Sequence, residues 1–208
     1  MVTPTFSLDS RPLTKRNLNE IAVVASRAFY TDPFFVFLSN RAMTRTRGLT
    51  LFFRANIRHW STGRIVTVRD DTDRVVGAAA WLPTGAYPQS VTTQLAQTPG
   101  VLRALYRNPA ALRKGFGYLT AIAKNHIRDP HWYLFLLVTD PELQRRGIGA
   151  MLMNEALEQI DREGVSSYLE TQKEDNIAYY RRFGYELVQT LSPVDGGPPL
   201  YAMRRPSH

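Results

Sequence analysis

The segment Trp132–Thr139 (Trp-Tyr-Leu-Phe-Leu-Leu-Val-Thr) is apolar at almost every position, the pattern of a strand covered on both faces. Such a strand needs helices on either side of its sheet, so the economical architecture is one mixed α/β domain. After the short stretch Asp140–Gln144 come Gly147 and Gly149. An amphipathic helix then carries Ile148, Met151, Leu152, Ala156 and Ile160 and stops at Gly164.

The remaining pattern places elements before and after this unit. Thr5–Pro12 reads as a first strand, and Thr14 caps a helix bearing Leu18, Ile21, Ala22, Ala25 and Phe29. Asp32-Pro33 breaks that helix, and an apolar cluster (Phe34, Phe35, Phe37, Leu38) follows. A second helix is predicted from about Met43 to Trp60, with Leu49, Phe52, Phe53 and Ile57 on one face. Ile65–Val68 and Val75–Leu82 form a hairpin across the acidic turn Asp70–Asp73. Residues 88–130 are basic and helical, interrupted at Pro99 and Pro109, with Leu102, Leu105, Tyr106, Leu112, Phe116, Leu119 and Ile122 as the expected buried side. Val165–Thr171 reads as a strand, Ile177–Phe183 as a short helix, and Glu186–Leu191 and Leu200–Arg204 as the last strands. With no internal repeat, residues 1–208 are expected to form one domain.

Composition narrows the chemistry. An apolar fraction of 44% with 11% aromatics in 208 residues supports a real core. The absence of cysteine excludes disulfides, thiolate metal sites and a cysteine nucleophile. His59, His126, His131 and His208 show no ligand spacing, so no metal is expected. No run nears the ~20 apolar residues of a membrane span. Met1–Thr5 has neither the charge nor the apolar stretch of a signal peptide, so a cytoplasmic setting is expected.

The net charge of +8 is uneven: residues 33–128 carry 14 Lys/Arg against Asp70, Asp71 and Asp73, while residues 129–208 carry 8 against 12 Asp/Glu. The basic half could steer a polyanion, nucleic acid or a phosphorylated cofactor. Solvated helix faces explain it more simply, since no nucleic-acid-reading motif accompanies the charge. Expected partners exclude nucleic acid and membrane; the chain is expected to be a monomer or homodimer.

The segment Gln144-Arg145-Arg146-Gly147-Ile148-Gly149-Ala150 lies between a buried strand and a helix. Its glycines let backbone approach a ligand, and the helix start offers free N–H groups and a positive dipole end, a cradle for pyrophosphate. A dinucleotide fingerprint competes, with Glu170 as the ribose acid. However, Leu152 stands where the third glycine belongs, and Asp140–Gln144 displaces the glycines from the strand end.

Leu137–Ala150 resembles motif A of the GNAT superfamily of acyl-CoA-dependent N-acetyltransferases: apolar strand, x-x-Pro-x-x, then Gln/Arg-x-x-Gly-x-Gly/Ala. Leu169-Glu170-Thr171, followed by Asn176-x-x-Tyr179-Tyr180-x-x-Phe183-Gly184-Tyr185, is similar to that family's next strand and helix. Arg145 stands where glycine is common and Tyr179 replaces a usual Phe. With the long 88–130 segment, Trp132 and the Leu-Glu-Thr strand, the chain is most similar to the puromycin N-acetyltransferase branch.

The resemblance implies an α/β GNAT fold, with a mixed, mostly antiparallel sheet splayed between its fourth and fifth strands and a helical insertion before the fourth. It implies acetyl transfer from acetyl-CoA directly to a primary amine, with no metal and no acyl-cysteine relay. Leu137, Val138 and Thr139 would hold the pantetheine and polarise the thioester, and Gln144, Arg145, Arg146, Gly147, Ile148, Gly149 and Ala150 the pyrophosphate. Asn176 would serve as helix cap and cofactor contact, and Tyr180 as the general acid.

For the general base, Glu170 on an apolar strand is the best candidate, against its alternative as a carboxylate satisfied by backbone donors. Asp32 or a water chain could also serve, and His126 and His131 read as structural. Phe34, Phe35, Trp81 and Tyr87 are the expected acceptor-binding residues. The expected acceptor is a small amine, an aminonucleoside antibiotic among the classes; a non-catalytic acyl-CoA or polyanion module and a protein-lysine acetyltransferase are the alternatives.

Overall fold

The computed structural model describes residues 5–10, 12, 14–39, 42–57, 63–87, 98–99 and 109–207. Seven strands run in chain order: β1 (Ser7–Asp9), β2 (Arg64–Arg69), β3 (Val75–Leu82), β4 (His131–Thr139), β5 (Ser166–Thr171), β6 (Glu186–Leu191) and β7 (Leu200–Arg205). They pair in the order β1-β2-β3-β4-β5-β7-β6, and β4–β5 is the parallel pair.

The described helices are α1 (Lys15–Ala28), α2 (Pro33–Leu38), α3 (Ala42–Ile57), α4 (Pro109–Asn125), α5 (Ile148–Glu163) and α6 (Asp175–Arg181). α1 starts at a capping box in which Asn17 N–H donates to Thr14 Oγ1 (3.2 Å) and Thr14 N–H donates to Asn17 Oδ1 (2.8 Å). Asp32-Pro33 ends α1 as the sequence predicts, and also starts α2. Asp32 is the N-cap, accepting from Phe34 N–H at 3.0 Å, and Pro33 fills the first turn. The apolar cluster expected at Phe34–Leu38 is thus helical.

Both faces of the central strands are buried. α5 packs Ile148, Leu152, Met153 and Ala156 against Val66, Ala79, Trp81, Leu134 and Leu169. On the opposite face, Ile21, Val24 and Ala25 of α1 and Leu49, Phe53 and Ile57 of α3 meet Ala78, Ala80, Leu136 and Val138. Full burial of each such side chain contributes roughly 1.5–3 kcal/mol, enough to fix both layers.

One irregularity in β4 positions the site. Ala80 pairs with Leu136 but Trp81 pairs with Leu134, so Phe135 is an extra residue and β4 bulges there. The parallel pairing of β4 with β5 runs from His131–Ser166 to Leu134–Leu169 and ends at the same point. Beyond it β4 stays with β3 as far as Thr139–Gly77, while β5 stays with β7 through Glu170–Ala202 and Thr171–Tyr201. A gap therefore opens between β4 and β5, as the splay expected between the fourth and fifth strands requires.

The expected buried side of α4 is displaced. Ala111, Tyr118 and Ile122 are buried, while Phe116 is 76% and Leu119 48% exposed. Small residues at 111 and 115 let α4 approach Leu38 of α2, and Tyr118 packs on Phe34 at 4.7 Å between ring centroids. That turns the helix away from the stripe its apolar spacing marks. Leu102, Leu105 and Tyr106 lie outside the described residues.

Candidate active site

The loop after β4 is tied down before it reaches the glycines. Asp140 N–H donates to Val76 C=O (2.8 Å), and the buried Asp140 carboxylate accepts from Glu142 N–H (3.1 Å) and from Arg27 Nη1 (2.9 Å). Arg27 Nη2 also reaches Glu142 (2.8 Å), so α1 clamps the short 3-10 turn Pro141–Leu143. Two left-handed residues follow, Arg145 at φ 63° and Gly147 at φ 83°. A non-glycine residue there costs about 1–2 kcal/mol, and such strain concentrates at functional sites.

This curl delivers the chain to the start of α5 with its donors free. Met151 N–H bonds Gly147 C=O at 2.9 Å, and Gly147 gives no side-chain cap. Among the described residues, the N–H groups of Arg145, Arg146, Gly147, Ile148, Gly149 and Ala150 make no backbone bond. They stand at the positive end of a 16-residue helix, an arrangement that suits an anion.

Tyr179 closes the other side of that helix start. A Cβ on Gly149 would lie 2.6 Å from Tyr179 Oη and 3.9 Å from Thr139 Oγ1. Tyr179 Oη is buried without a hydrogen-bond partner, and the Arg182 guanidinium lies 4.9 Å over its ring. The Tyr179–Phe183 pair expected from spacing is present, with ring centroids 5.3 Å apart. Tyr180, expected to point away from the core pair, is the more buried tyrosine, 8% exposed and packed with Leu169, Leu152 and Tyr185. Its hydroxyl finds no partner among the described residues and, unlike Tyr179 Oη, is not sealed from solvent. Burial, with Tyr179 and Tyr185 adding to it, raises the Tyr180 phenol above its usual range. Asn176 is not a helix cap. α6 begins at Asp175 behind Glu174, and Asn176 Nδ2 instead donates to Thr171 Oγ1 (2.8 Å) at the end of β5.

Alternation along β5 sends Glu170 to the sheet face opposite Leu169 and Tyr180. There Tyr133 Oη donates to Glu170 Oε2 (2.5 Å), Tyr168 Oη donates to Glu170 Oε1 (3.0 Å), and His126 Nδ1 lies 3.3 Å from Oε1. The carboxylate is thus met by side chains, not by the backbone donors of the alternative reading, and only 4% of its side chain is exposed. His126 and His131 belong to this cluster, which the residue spacing of the sequence does not reveal.

Tyr87 packs on both His126 (4.6 Å) and Tyr133 (5.0 Å). Tyr118 lies where the charges of Asp32 and Glu170 both raise its phenol, after the larger effect of burial. Phe34 and Phe35 stand in contact at 5.2 Å beside it. Burial raises the Asp32 carboxyl above the usual range, opposed by Lys173 and by the N–H groups of Phe34 and Phe35. Trp81 is not brought here: it is 1% exposed and packs on the α5 face with Leu152 and Met153, because β3 turns Ala80 and Leu82 to the opposite face.

Residues 28–185 match the model of the Acetyltransferase (GNAT) family. The chain belongs to the GNAT acetyltransferase family. It is an acyl-CoA-dependent N-acetyltransferase, with acetyl-CoA as the family's co-substrate. The fold is similar to that of a Corynebacterium glutamicum structure described as histone acetyltransferase HPA2 and related acetyltransferase. The TM-score is 0.72 at 24% identity, covering 100% of this chain and 98% of that one.

A mosquito arylalkylamine N-acetyltransferase like 5b matches with TM-score 0.56 at 13% identity over 97% and 99% of the two chains. The Escherichia coli ribosomal-protein-S18-alanine N-acetyltransferase matches with TM-score 0.52 at 14% identity over 98% and 96%. These likenesses concern the fold. They span protein and small-molecule acetyltransferases, so they leave the acceptor to be argued from the site. Among the described residues, no helix is long and apolar enough to cross a membrane.

Proposed function

We propose that this GNAT acetyltransferase, acting as one domain, acetylates a small primary amine, with Tyr180 as general acid and Glu170 as general base. The observation that carries the reading is their position: Tyr180 packs on the α5 face, Glu170 lies on the α1 face, and the gap beyond Leu134–Leu169 lies between the faces.

The residues fit acetyl-CoA on two features, the unpaired N–H groups of Arg145–Ala150 for its pyrophosphate and the orphaned Tyr179 Oη beside them. Gln144, at the end of the 3-10 turn, and Asn176, bonded to Thr171, are assigned to the same site, and the β4 edge at Leu137, Val138 and Thr139, released from β5, offers backbone groups for the pantetheine. When bound, acetyl-CoA supplies a thioester as acyl donor. Backbone donors on β4 stabilise negative charge developing on the carbonyl oxygen. Tyr180 holds a proton at Oη for the leaving sulfur; burial keeps the phenol neutral, and the same apolar setting raises the proton affinity of a thiolate. Glu170 takes the proton that the substrate ammonium loses to become the attacking amine.

The acceptor side supports a small, partly apolar amine. Phe34, Phe35, Tyr87 and Tyr118 pack together on the side of the sheet that carries Glu170, and Asp32 would supply a second buried carboxylate to hold an ammonium group. An aminonucleoside of the puromycin type fits that description of an aromatic body with a primary amine.

The test is thiol release from acetyl-CoA with puromycin, other aminonucleosides, polyamines and a histone-tail peptide as acceptors. A small amine should exceed the peptide by about 100-fold in kcat/KM, equivalent to about 2.7 kcal/mol of transition-state binding. A preference for the peptide overturns the small-amine reading.

A further inference from the structure

Behind Glu170 stands a chain of buried imidazoles whose protons can be assigned from geometry. His131 Nδ1 lies 2.6 Å from Asp129 C=O, which only accepts, so Nδ1 carries the proton. Burial lowers the proton affinity of His131 and keeps it neutral, leaving a lone pair on Nε2. That lone pair is 3.0 Å from His126 Nε2, so His126 Nε2 carries a proton and donates. In the Nε2–H tautomer His126 presents a bare Nδ1 to Glu170 Oε1 at 3.3 Å. Two acceptors face each other, and one proton between them completes the hydrogen bond.

Resting on the reading of Glu170 as the base, we propose that His126 is its proton acceptor and that His131 is the positioning residue that holds His126 in the receptive tautomer. The ammonium N–H bond breaks and its electron pair stays on nitrogen. The proton moves to Glu170 Oε1 and on to His126 Nδ1. Ammonium, carboxylate and neutral imidazole become free amine, carboxylate and imidazolium, so charge and protons balance. Tyr133 holds Oε2 and Tyr168 holds Oε1 in the structure.

The surrounding groups support this endpoint. Tyr87, Tyr133 and Tyr168, ringed about His126, are all raised by burial and remain neutral phenols. Arg204, bonded to the Asp129 carboxylate at 3.1 Å, opposes a charge on His131, so the proton stops at His126. On the α2 side, Asp32 faces the cluster across Tyr118.

Nitrogen-15 NMR of the side-chain imidazoles in the intact, substrate-free protein tests the assignment. The expected result is an Nδ1–H tautomer for His131 and an Nε2–H tautomer for His126. The opposite tautomer of either ring overturns the inference and leaves the role of Glu170 standing.

Kinetics give the second arm. In His126→Gln, the kcat plateau should fall ~10–100-fold and the acid limb of the pH profile should move to lower pH. Loss of rate with an unmoved limb marks a structural role and overturns it. A Glu170→Gln variant with unchanged kcat removes the base reading itself, a result distinct from either.

Discussion

Tyr179 Oη lies 2.6 Å from the point a Cβ on Gly149 would occupy, buried and without a partner. A hydroxyl sealed in that way costs roughly 1–3 kcal/mol until something accepts its hydrogen bond. Tyr179→Phe should therefore raise the melting temperature of the ligand-free protein while weakening acetyl-CoA binding, read by thermal shift and calorimetry. Gly149→Ala should displace the tyrosine and also weaken binding. Unchanged acetyl-CoA affinity in both variants would remove this contact from the cofactor site.

Tyr180→Phe keeps the ring among Leu169, Leu152 and Tyr185 and deletes only the hydroxyl. Folding and acetyl-CoA affinity should be retained while kcat falls ~10²–10⁴-fold, measured by pre-steady-state thiol release. A chemical step of normal rate would return Tyr180 to the core.

Asp32 is a prediction about stability and its sign. Its folded pKa is raised by burial, so the native state holds the proton more tightly than the unfolded chain. Ionised Asp32 therefore costs stability at neutral pH, and the cost vanishes as pH falls through the raised value. Asp32→Asn keeps a good helix cap and should raise Tm at pH 7, each kcal/mol regained appearing as about 2–4 °C. The gain should shrink on acidification while the KM for the amine rises. A Tm difference constant with pH rules out the charge explanation.

Asp140→Ala removes the carboxylate that joins Arg27 of α1 to the turn before the glycine loop. It leaves Arg27 with the exposed Glu142 alone, so the loop should loosen. Acetyl-CoA affinity should drop about tenfold with a smaller change in kcat, separable in a full kinetic titration. Equal loss in kcat with intact affinity would locate its effect elsewhere.

Much of this protein was legible locally. The Thr14–Asn17 capping box, the hairpin at Asp70–Asp73, Gly147 before α5 and Gly164 after it are signals spanning a few residues, so the order and kind of the elements follow from the chain. The motif residues Gln144–Ala150 and Asn176–Tyr185 carried the family for the same reason.

What tertiary structure alone decided are relations across the sheet. The run 132–139 is apolar throughout, so it holds no sign that Phe135 bulges and puts Leu134 and Leu136 on opposite faces, opening the gap. Which face Trp81 occupies depends on which helices cover β3, and which side of α4 is buried depends on Leu38 and Phe34 arriving from α2. His126 meets Glu170 across a separation of 44 residues, after α4 ends and β4 returns beside β5. Those contacts form only when non-local packing brings the elements together, and they join His126, His131 and Glu170 in one buried cluster.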